Sequence, residues 1–357
     1  MNNIVPQGSA SMDDQTQQGV EGVLQLGDYR LQSGQTLPNA FLTYETHGTL
    51  NEEKSNVIVN PTWYTGSHVA NRAAIGPGKM LDTNQYFVIV PDLFCNGYSS
   101  SPSNTPRLND RVRFPLVTIY DNVFAQKRLC KEVFGIEKIK SVVGFSMGAQ
   151  QAFHWAAAFP EIVESIVPIC GTGKTSPHDW LHLEGVKAAL MADEAWANGD
   201  YREPPTVGLR AFHTVNAGWF ASQAYFRKGL YKDFLGMRSE TVSEFIDNVI
   251  HGFQANDAND LLGALATWQN SDVTNHPRFE GDLDKAYGSI RCRAMIMPCR
   301  TDLCFPPEDN ETEVARMPNA ELRVIESDLG HLAGSPGISE ETDQFVSQGI
   351  ADVLNAS

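Results

Sequence analysis

Gly144-Phe145-Ser146-Met147-Gly148 follows Ser141-Val142-Val143 and opens a helical pattern over 147–159. A β-branched run, a serine between two glycines and then a helical period read as a strand, a tight turn and a helix. A serine on so sharp a turn takes strained backbone angles, and side chains two residues to either side of it would collide. Glycine at 144 and 148, with Ala149 next, removes the collision. The turn lifts the Ser146 hydroxyl out of the sheet and aims helix amides at a reacting oxygen. The five-residue pattern alone is weak, because Gly and Ser are common. With a strand before it and a helix after it, it reads as a nucleophile elbow and not as a structural turn.

The same alternation extends in both directions. Short apolar runs at 57–59, 86–90, 141–143, 165–167, 294–297 and 322–325 read as strands. Helical patterns follow several of them, at 117–134 before Gly135 and at 147–159 before Pro160. A short helix is expected near 69–74. Strands alternating with helices imply an α/β chain: a mostly parallel sheet with helices on both faces. The first two strands, at 23–32 and 41–46, are separated by a turn, so they start the sheet antiparallel. The alternation breaks between 173 and 289. That stretch reads as helices at 182–197, 207–221, 241–253 and 259–269. Because strands resume at 294, it is expected to be a helical cap inserted in the sheet and not a separate domain. The expected organisation is a disordered leader at 1–20, a core of 21–172 and 290–357, and a cap of 173–289.

Composition narrows the class. The chain has 357 residues, 27 basic against 43 acidic, for a net charge of −16. Such a charge repels phosphate backbones and anionic lipid heads, so no nucleic-acid or membrane partner is expected. Hydrophobic residues make up 42% of the chain, enough for a large core without staples. No run approaches the roughly 18 apolar residues of a membrane span. The polar N-terminus lacks the basic and apolar regions of a signal peptide. The six cysteines show no metal or haem spacing and read as small core residues in a reducing, cytoplasmic compartment. No metal or bound redox cofactor is implied.

A serine hydroxyl is a poor nucleophile and needs a base within hydrogen-bond reach. On sheets that carry such an elbow, the acid and the base follow the serine in the order Ser, Asp, His. Asp302 lies just past the strand at 294–297, where loops carry the chemistry of open α/β sheets. Its rivals Glu308 and Asp309 follow Pro306-Pro307 and read as first-turn acids favoured by the helix dipole. His331, in Gly330-His331-Leu332-Ala333-Gly334, follows the last strand; every other histidine precedes Asp302. His154 reads as a packed or surface residue, while His68 could line a pocket. Asp302 should orient His331 and stabilise its imidazolium without taking the proton. An oxyanion needs two preorganised N–H donors. One is expected at Met147. The other is expected at Trp63, in the loop after the strand at 57–59, with Tyr64 as rival.

Several segments resemble the homoserine O-acetyltransferase family. They are Ile75-Gly76-Pro77-Gly78-Lys79-Met80-Leu81-Asp82-Thr83, Thr118-Ile119-Tyr120-Asp121-Asn122-Val123-Phe124-Ala125-Gln126-Lys127, and the elbow through Gln150. Tyr44-Glu45-Thr46-His47-Gly48-Thr49-Leu50 and Phe253-Gln254-Ala255-Asn256-Asp257 are similar to family motifs as well. The resemblance implies an α/β-hydrolase fold with a helical cap, a triad on Ser146, Asp302 and His331, oxyanion amides on Trp63 and Met147, a covalent acyl-serine and a homodimer. Three departures stand out. Leu332 replaces the acid that family transacetylases carry after the catalytic histidine, where it helps hold the amino group of homoserine. Ala149 replaces a glycine. The Asn60-Pro61-Thr62-Trp63-Tyr64 loop lacks the His-Ala-Leu pattern.

The expected activity is therefore that of an esterase-like member acting on small acetyl-type esters through an acyl-serine. The alternative is an O-acetyltransferase, with acetyl-CoA as co-substrate and Arg72, Lys79, Arg227 and Lys228 available for its phosphates. A small-molecule receptor on the same scaffold would be a different class, but it would not need to keep a base or an acid; a biosynthetic lyase or cyclase on this scaffold is a further alternative. The cap aromatics Trp180, Trp196, Trp219, Phe220, Tyr225 and Phe226 would either line an apolar pocket or simply pack between cap helices.

Overall fold

The structure, a computed structural model, describes residues 19–252 and 256–355. The leader expected at 1–20 lies outside the described residues up to 18, and Val20 already opens the first strand. Residues 253–255, the start of one motif noted above, also lie outside them.

Eight strands form the central sheet. They are β1 (Val20–Arg30), β2 (Thr36–His47), β3 (Val57–Val59), β4 (Phe87–Pro91), β5 (Ser141–Phe145), β6 (Ser165–Ile169), β7 (Arg293–Ile296) and β8 (Ala320–Leu322). Their order is β1-β2-β4-β3-β5-β6-β7-β8. β2 is antiparallel to β1 and β4, and the remaining pairs are parallel. The antiparallel start and the parallel body are those expected from the sequence. Alternate residues face opposite layers: Val57 and Val59 pack on one side of the sheet and Ile58 on the other. Helices α1 (Ile119–Phe134) and α2 (Met147–Ala158) cover the first side, and the C-terminal helix covers the second.

Local chemistry sets the boundaries. Thr118 and Asp121 form a capping box at the start of α1, and Gly135 ends it with a left-handed φ of 62°. The last strand comes earlier than expected. β8 stops at Leu322, and Ile325 makes only an isolated bridge to Cys299. Pro298 stands opposite and has no N–H to continue the ladder.

Between β6 and β7 run the helices α3 (Pro177–Met191), α4 (Thr206–Phe220), α5 (Gln223–Arg227), α6 (Val242–Gly252), α7 (Ala258–Gln269) and α8 (Leu283–Gly288). The helix expected to run on to 197 ends at Met191. Glu194–Gly199 is a 3-10 segment in which Ala197 and Asn198 have positive φ. Leu183, Phe212 and Trp268 share one buried cluster with strand residues Val59, Ile89 and Val142. Helices α9 (Pro307–Val314) and α10 (Glu340–Asn355) complete the chain order.

β3 is the topological switch point. The chain leaves it to form β4 on one side and later returns to form β5 on the other. Loops diverge at such a point and leave a crevice at the carboxyl ends of the strands. The Asn60–Tyr64 loop and Ser146 emerge there, from adjacent strands.

The antiparallel edge carries a buried charge network. Glu45 has no exposed surface and is gripped by Arg72 through bonds of 2.6 to 3.1 Å, and by His47 at 2.9 Å. Burial pushes its carboxyl up, but the bonds from His47 and Arg72 outweigh this and bring it down to about 2. A lowered folded value means that the contribution is present above the ordinary 4.5 and is lost as pH falls toward about 2. Glu45→Ala should lose ~2–3 kcal/mol at pH 7 by urea denaturation, because it leaves the part-buried Arg72 with only the exposed Glu21, 3.5 Å away, as an acidic partner. The difference from the parent should shrink below about pH 3.

Candidate active site

Ser146 sits between β5 and α2 with φ 57° and ψ −122°. Few L-residues adopt these angles, and they are held here by steric closure on every side. A Cβ on Gly144 would lie 2.2 Å from the Gly148 carbonyl oxygen, and one on Gly148 would lie 2.7 Å from the Pro61 oxygen. These are the collisions that the sequence pattern anticipates. The Ser146 amide donates to the Ile169 carbonyl at 2.9 Å, which ties the turn to β6.

The structure brings Ser146, His331 and Asp302 together. His331 Nδ1 lies 2.8 Å from Asp302 Oδ2, and His331 Nε2 lies 2.9 Å from Ser146 Oγ. A carboxylate can only accept, so Nδ1 carries the proton and Nε2 is left to accept from the serine hydroxyl. Asp302 Oδ1 accepts from the amides of Cys304 at 2.8 Å and Phe305 at 3.1 Å. These bonds fix the carboxylate plane. Glu308 and Asp309 lie in the first turn of α9, as expected for acids there.

Three phenyl rings enclose His331. Phe145 is 4.8 Å away, Phe305 5.4 Å and Phe220 of the cap 5.7 Å. All three triad side chains are buried, with Ser146 only 3% exposed. A groove of about 980 Å³ lined by Lys174, Trp180, Asp272 and His276 lies elsewhere and includes no triad residue.

Met147 is the first residue of α2, so its N–H has no intrahelical acceptor. The Trp63 ring packs edge-on against Phe145 at 5.4 Å. Tyr64 turns into the protein: its hydroxyl donates to Leu261 of the cap at 3.2 Å, and its ring lies 5.6 Å from Trp268.

Of the other residues named from the sequence, Phe220 reaches His331, and those described next otherwise lie away from it. His68 is buried, with Nδ1 2.6 Å from Asp92. Burial opposes charge on His68, but the Asp92 bond prevails and raises its pKa. His154 is buried in α2, 2.7 Å from the Gln150 carbonyl, and burial brings it down to about 4. Among the cap aromatics, Phe220 faces His331 and Trp219 stacks on His182 at 4.3 Å. Tyr225 and Phe226 pack with Phe245, whereas Trp180 is 46% exposed. Among the described residues, Asp179, His182 and Cys304 come nearest to a buried metal-ligand set. Asp179 there already accepts from Trp268 Nε1 at 2.9 Å, and His182 Nε2 lies 3.1 Å from Asn216 Oδ1. The sequence reading missed the buried glutamines Gln126 and Gln151 and the cap contacts of the His331 loop. A polar residue inside an apolar helical pattern was the available signal for the glutamines.

A serine on a strand-to-helix elbow, in hydrogen-bond contact with a histidine and an aspartate from later loops of a mostly parallel sheet, defines the α/β-hydrolase class. The chain belongs to the alpha/beta hydrolase fold family, whose model matches residues 56–335. It is 38% identical over 340 residues to an ethyl acetate hydrolase of Pseudomonas veronii, covering 94% of this chain and 95% of that one. It is 30% identical over 369 residues to a homoserine O-acetyltransferase of Methanococcoides burtonii, covering 92% and 74%. The solved structure of an acetylester hydrolase from Corynebacterium glutamicum superposes with a TM-score of 0.90 at 35% identity, over 96% of this chain and 97% of that one. The chain is thus an enzyme of the homoserine O-acetyltransferase-like group, and it is more similar to these Pseudomonas veronii and Corynebacterium glutamicum esterases than to the Methanococcoides burtonii transferase.

The His331 loop rests on the cap. Gly330 has φ 70°, and a Cβ there would lie 2.7 Å from the Ser222 nitrogen and 2.9 Å from the Phe220 carbonyl oxygen. Ser222 Oγ also donates to the Asp328 carbonyl, and Lys228 pairs with the Asp328 carboxylate. Gly330→Ala should therefore displace His331. Strain of ~1–3 kcal/mol is expected. Ester turnover should fall about 10-fold or more while the chain stays folded by circular dichroism.

Proposed function

We propose that this chain hydrolyses small acetyl-type esters through a covalent acyl-Ser146. The observation that carries the reading is the unbroken hydrogen-bond line from Ser146 through His331 to Asp302. As Ser146 Oγ attacks the ester carbonyl, His331 Nε2 takes its proton, and Asp302 steadies the imidazolium through Nδ1. The amides of Met147 and Trp63 receive the oxyanion. Collapse breaks the ester C–O bond, and His331 returns the proton to the departing alcohol. Water then attacks the acyl-serine with His331 again as base, which releases the acid and restores Ser146.

Water is favoured over an amino-alcohol acceptor because of Leu332. It packs, with Leu329, on the cap cluster of Ala217, Tyr225 and Phe245. An apolar contact stands where transacetylases of the resembled family carry an acid. Three of the four basic residues considered for acetyl-CoA are engaged elsewhere: Arg72 grips Glu45, Lys79 donates to the Arg72 carbonyl and Lys228 pairs with Asp328, while Arg227 reaches only Gln223 at 3.5 Å. No metal or bound cofactor takes part in this reading. The supporting facts for a cytoplasmic location are six free cysteines, five of them buried. Among the described residues, no helix is long and apolar enough to cross a membrane. A homodimer belongs to the reading through the family resemblance.

The purified chain should turn over p-nitrophenyl acetate continuously. Ser146→Ala should lose roughly 10⁴-fold or more in kcat. A burst of one equivalent that then stalls would replace hydrolysis by transfer to an alcohol.

A further inference from the structure

One buried side chain joins the two backbone segments assigned to the oxyanion. Gln151 Nε2 donates to the Thr62 carbonyl at 2.8 Å and to the Met147 carbonyl at 3.1 Å. Gln151 Oε1 accepts from Gln126 Nε2 at 2.6 Å, and Gln126 Oε1 accepts from Trp155 Nε1 at 2.8 Å. All three side chains have no exposed surface.

The direction of every bond is forced from both ends. An indole N–H can only donate, and a backbone carbonyl can only accept. Neither glutamine can flip its amide without leaving buried polar groups unmet. The chain therefore has a single hydrogen-bonding state, running from α2 through α1 and back to the loop after β3.

The peptide between Thr62 and Trp63 is the one that matters. No described peptide bond is cis, so this unit is planar and trans, and its C=O and N–H point in opposite directions. Seating the Thr62 carbonyl on Gln151 sets the direction of the Trp63 N–H. The Thr62 side chain is held independently: its Oγ1 accepts from the Leu93 amide at 2.9 Å. Gln151 also holds the carbonyl of Met147, the residue whose amide is the other donor. We propose that Gln151 is a positioning residue that preorganises the oxyanion site, with Gln126 and Trp155 holding it in its donating orientation. This rests on the acyl-serine reading above and on Trp63 and Met147 as the oxyanion amides.

Gln151→Met preserves length and most of the volume but cannot donate. The variant, Gln126→Leu and the parent chain are compared with p-nitrophenyl acetate and with two ketones that differ only in carrying a trifluoromethyl or a methyl group. A trifluoromethyl ketone forms a hemiketal oxyanion on Ser146, whereas the methyl ketone stays a ground-state ligand. In Gln151→Met, kcat should fall about 10- to 100-fold, somewhat less than for deletion of an oxyanion donor. Trifluoromethyl ketone affinity should fall in parallel, while KM and methyl ketone affinity stay within about threefold. Gln126→Leu should move the same quantities in the same direction by a smaller factor, and it decides the matter if Gln151→Met does not fold. The proposal is overturned if kcat and trifluoromethyl ketone affinity stay within about twofold, or if both ketones weaken equally, which would mark general loosening. Ser146→Ala, run alongside, separates the failures. If it still turns over, the acyl-serine reading has failed. If it is inactive while both glutamine variants behave as the parent, only the role of Gln151 has failed.

Discussion

The site depends on how closely α2 approaches the loop after β3. Ser146 can keep a left-handed φ of 57° only while its neighbours leave no relaxed alternative. Gly144 and Gly148 lack the Cβ atoms that would strike the Gly148 and Pro61 carbonyls. Such a backbone conformation costs of order 1–3 kcal/mol and persists because the packing around it over-determines it. That packing is extensive: β5 is paired on both sides, and every residue of α2 is buried. The strain has a chemical consequence. It holds the Ser146 hydroxyl, the first helix amides and the loop at the switch point in one place before any substrate arrives, so little reorganisation is left for the reacting state.

His331, the base in the proposed reaction, takes its position in part from the helices inserted between β6 and β7. It sits in a short 3-10 turn, Gly330–Gly334. Rigidity comes from its surroundings: the Phe220 ring on one side, Phe145 and Phe305 on others, and the cap backbone pressed against Gly330. The rings also exclude water, which strengthens the bond between Asp302 and His331 relative to its value in solvent. The α4–α5 turn of the cap therefore covers the site and also forms one wall of the base's socket. A rearrangement of that turn would act on the base as well as on access.

The sheet was legible because its strands are short, apolar and bounded by turn residues, as at 57–59 and 141–145. Ser146, Asp302 and His331 were legible because each follows a strand and because chain order leaves few rivals. What escaped was in large part tertiary. Glu194–Gly199 reads through as helix although Asp193 caps it locally and Asn198-Gly199 is a turn dipeptide; the apolar period across it outweighs those signals. The end of β8 depends on a proline across the ladder, in a different segment of sequence. Gln151 reads as one more polar residue on a helix. Its meaning appears only when α1 supplies Gln126 and the β3 loop supplies a carbonyl. A buried polar side chain takes its function from partners far away in sequence, and a period of 3.6 contains no trace of them.

The choice of acceptor also turns on tertiary contacts. An acyl-serine can pass its acyl group to water or to an alcohol. Selectivity for a zwitterionic alcohol requires a buried counter-charge, because an ammonium desolvated without one costs several kcal/mol. In this chain the position after the base is a leucine, and that leucine is part of the contact between the His331 loop and the cap. A carboxylate placed there would lie, partly buried, beside the apolar cap cluster, which would disfavour its charge unless a counter-ion met it. Closing the socket of the base with an apolar residue and recognising an ammonium beside it are competing uses of one position. Here the socket has it, and water is the acceptor that needs nothing from that side chain.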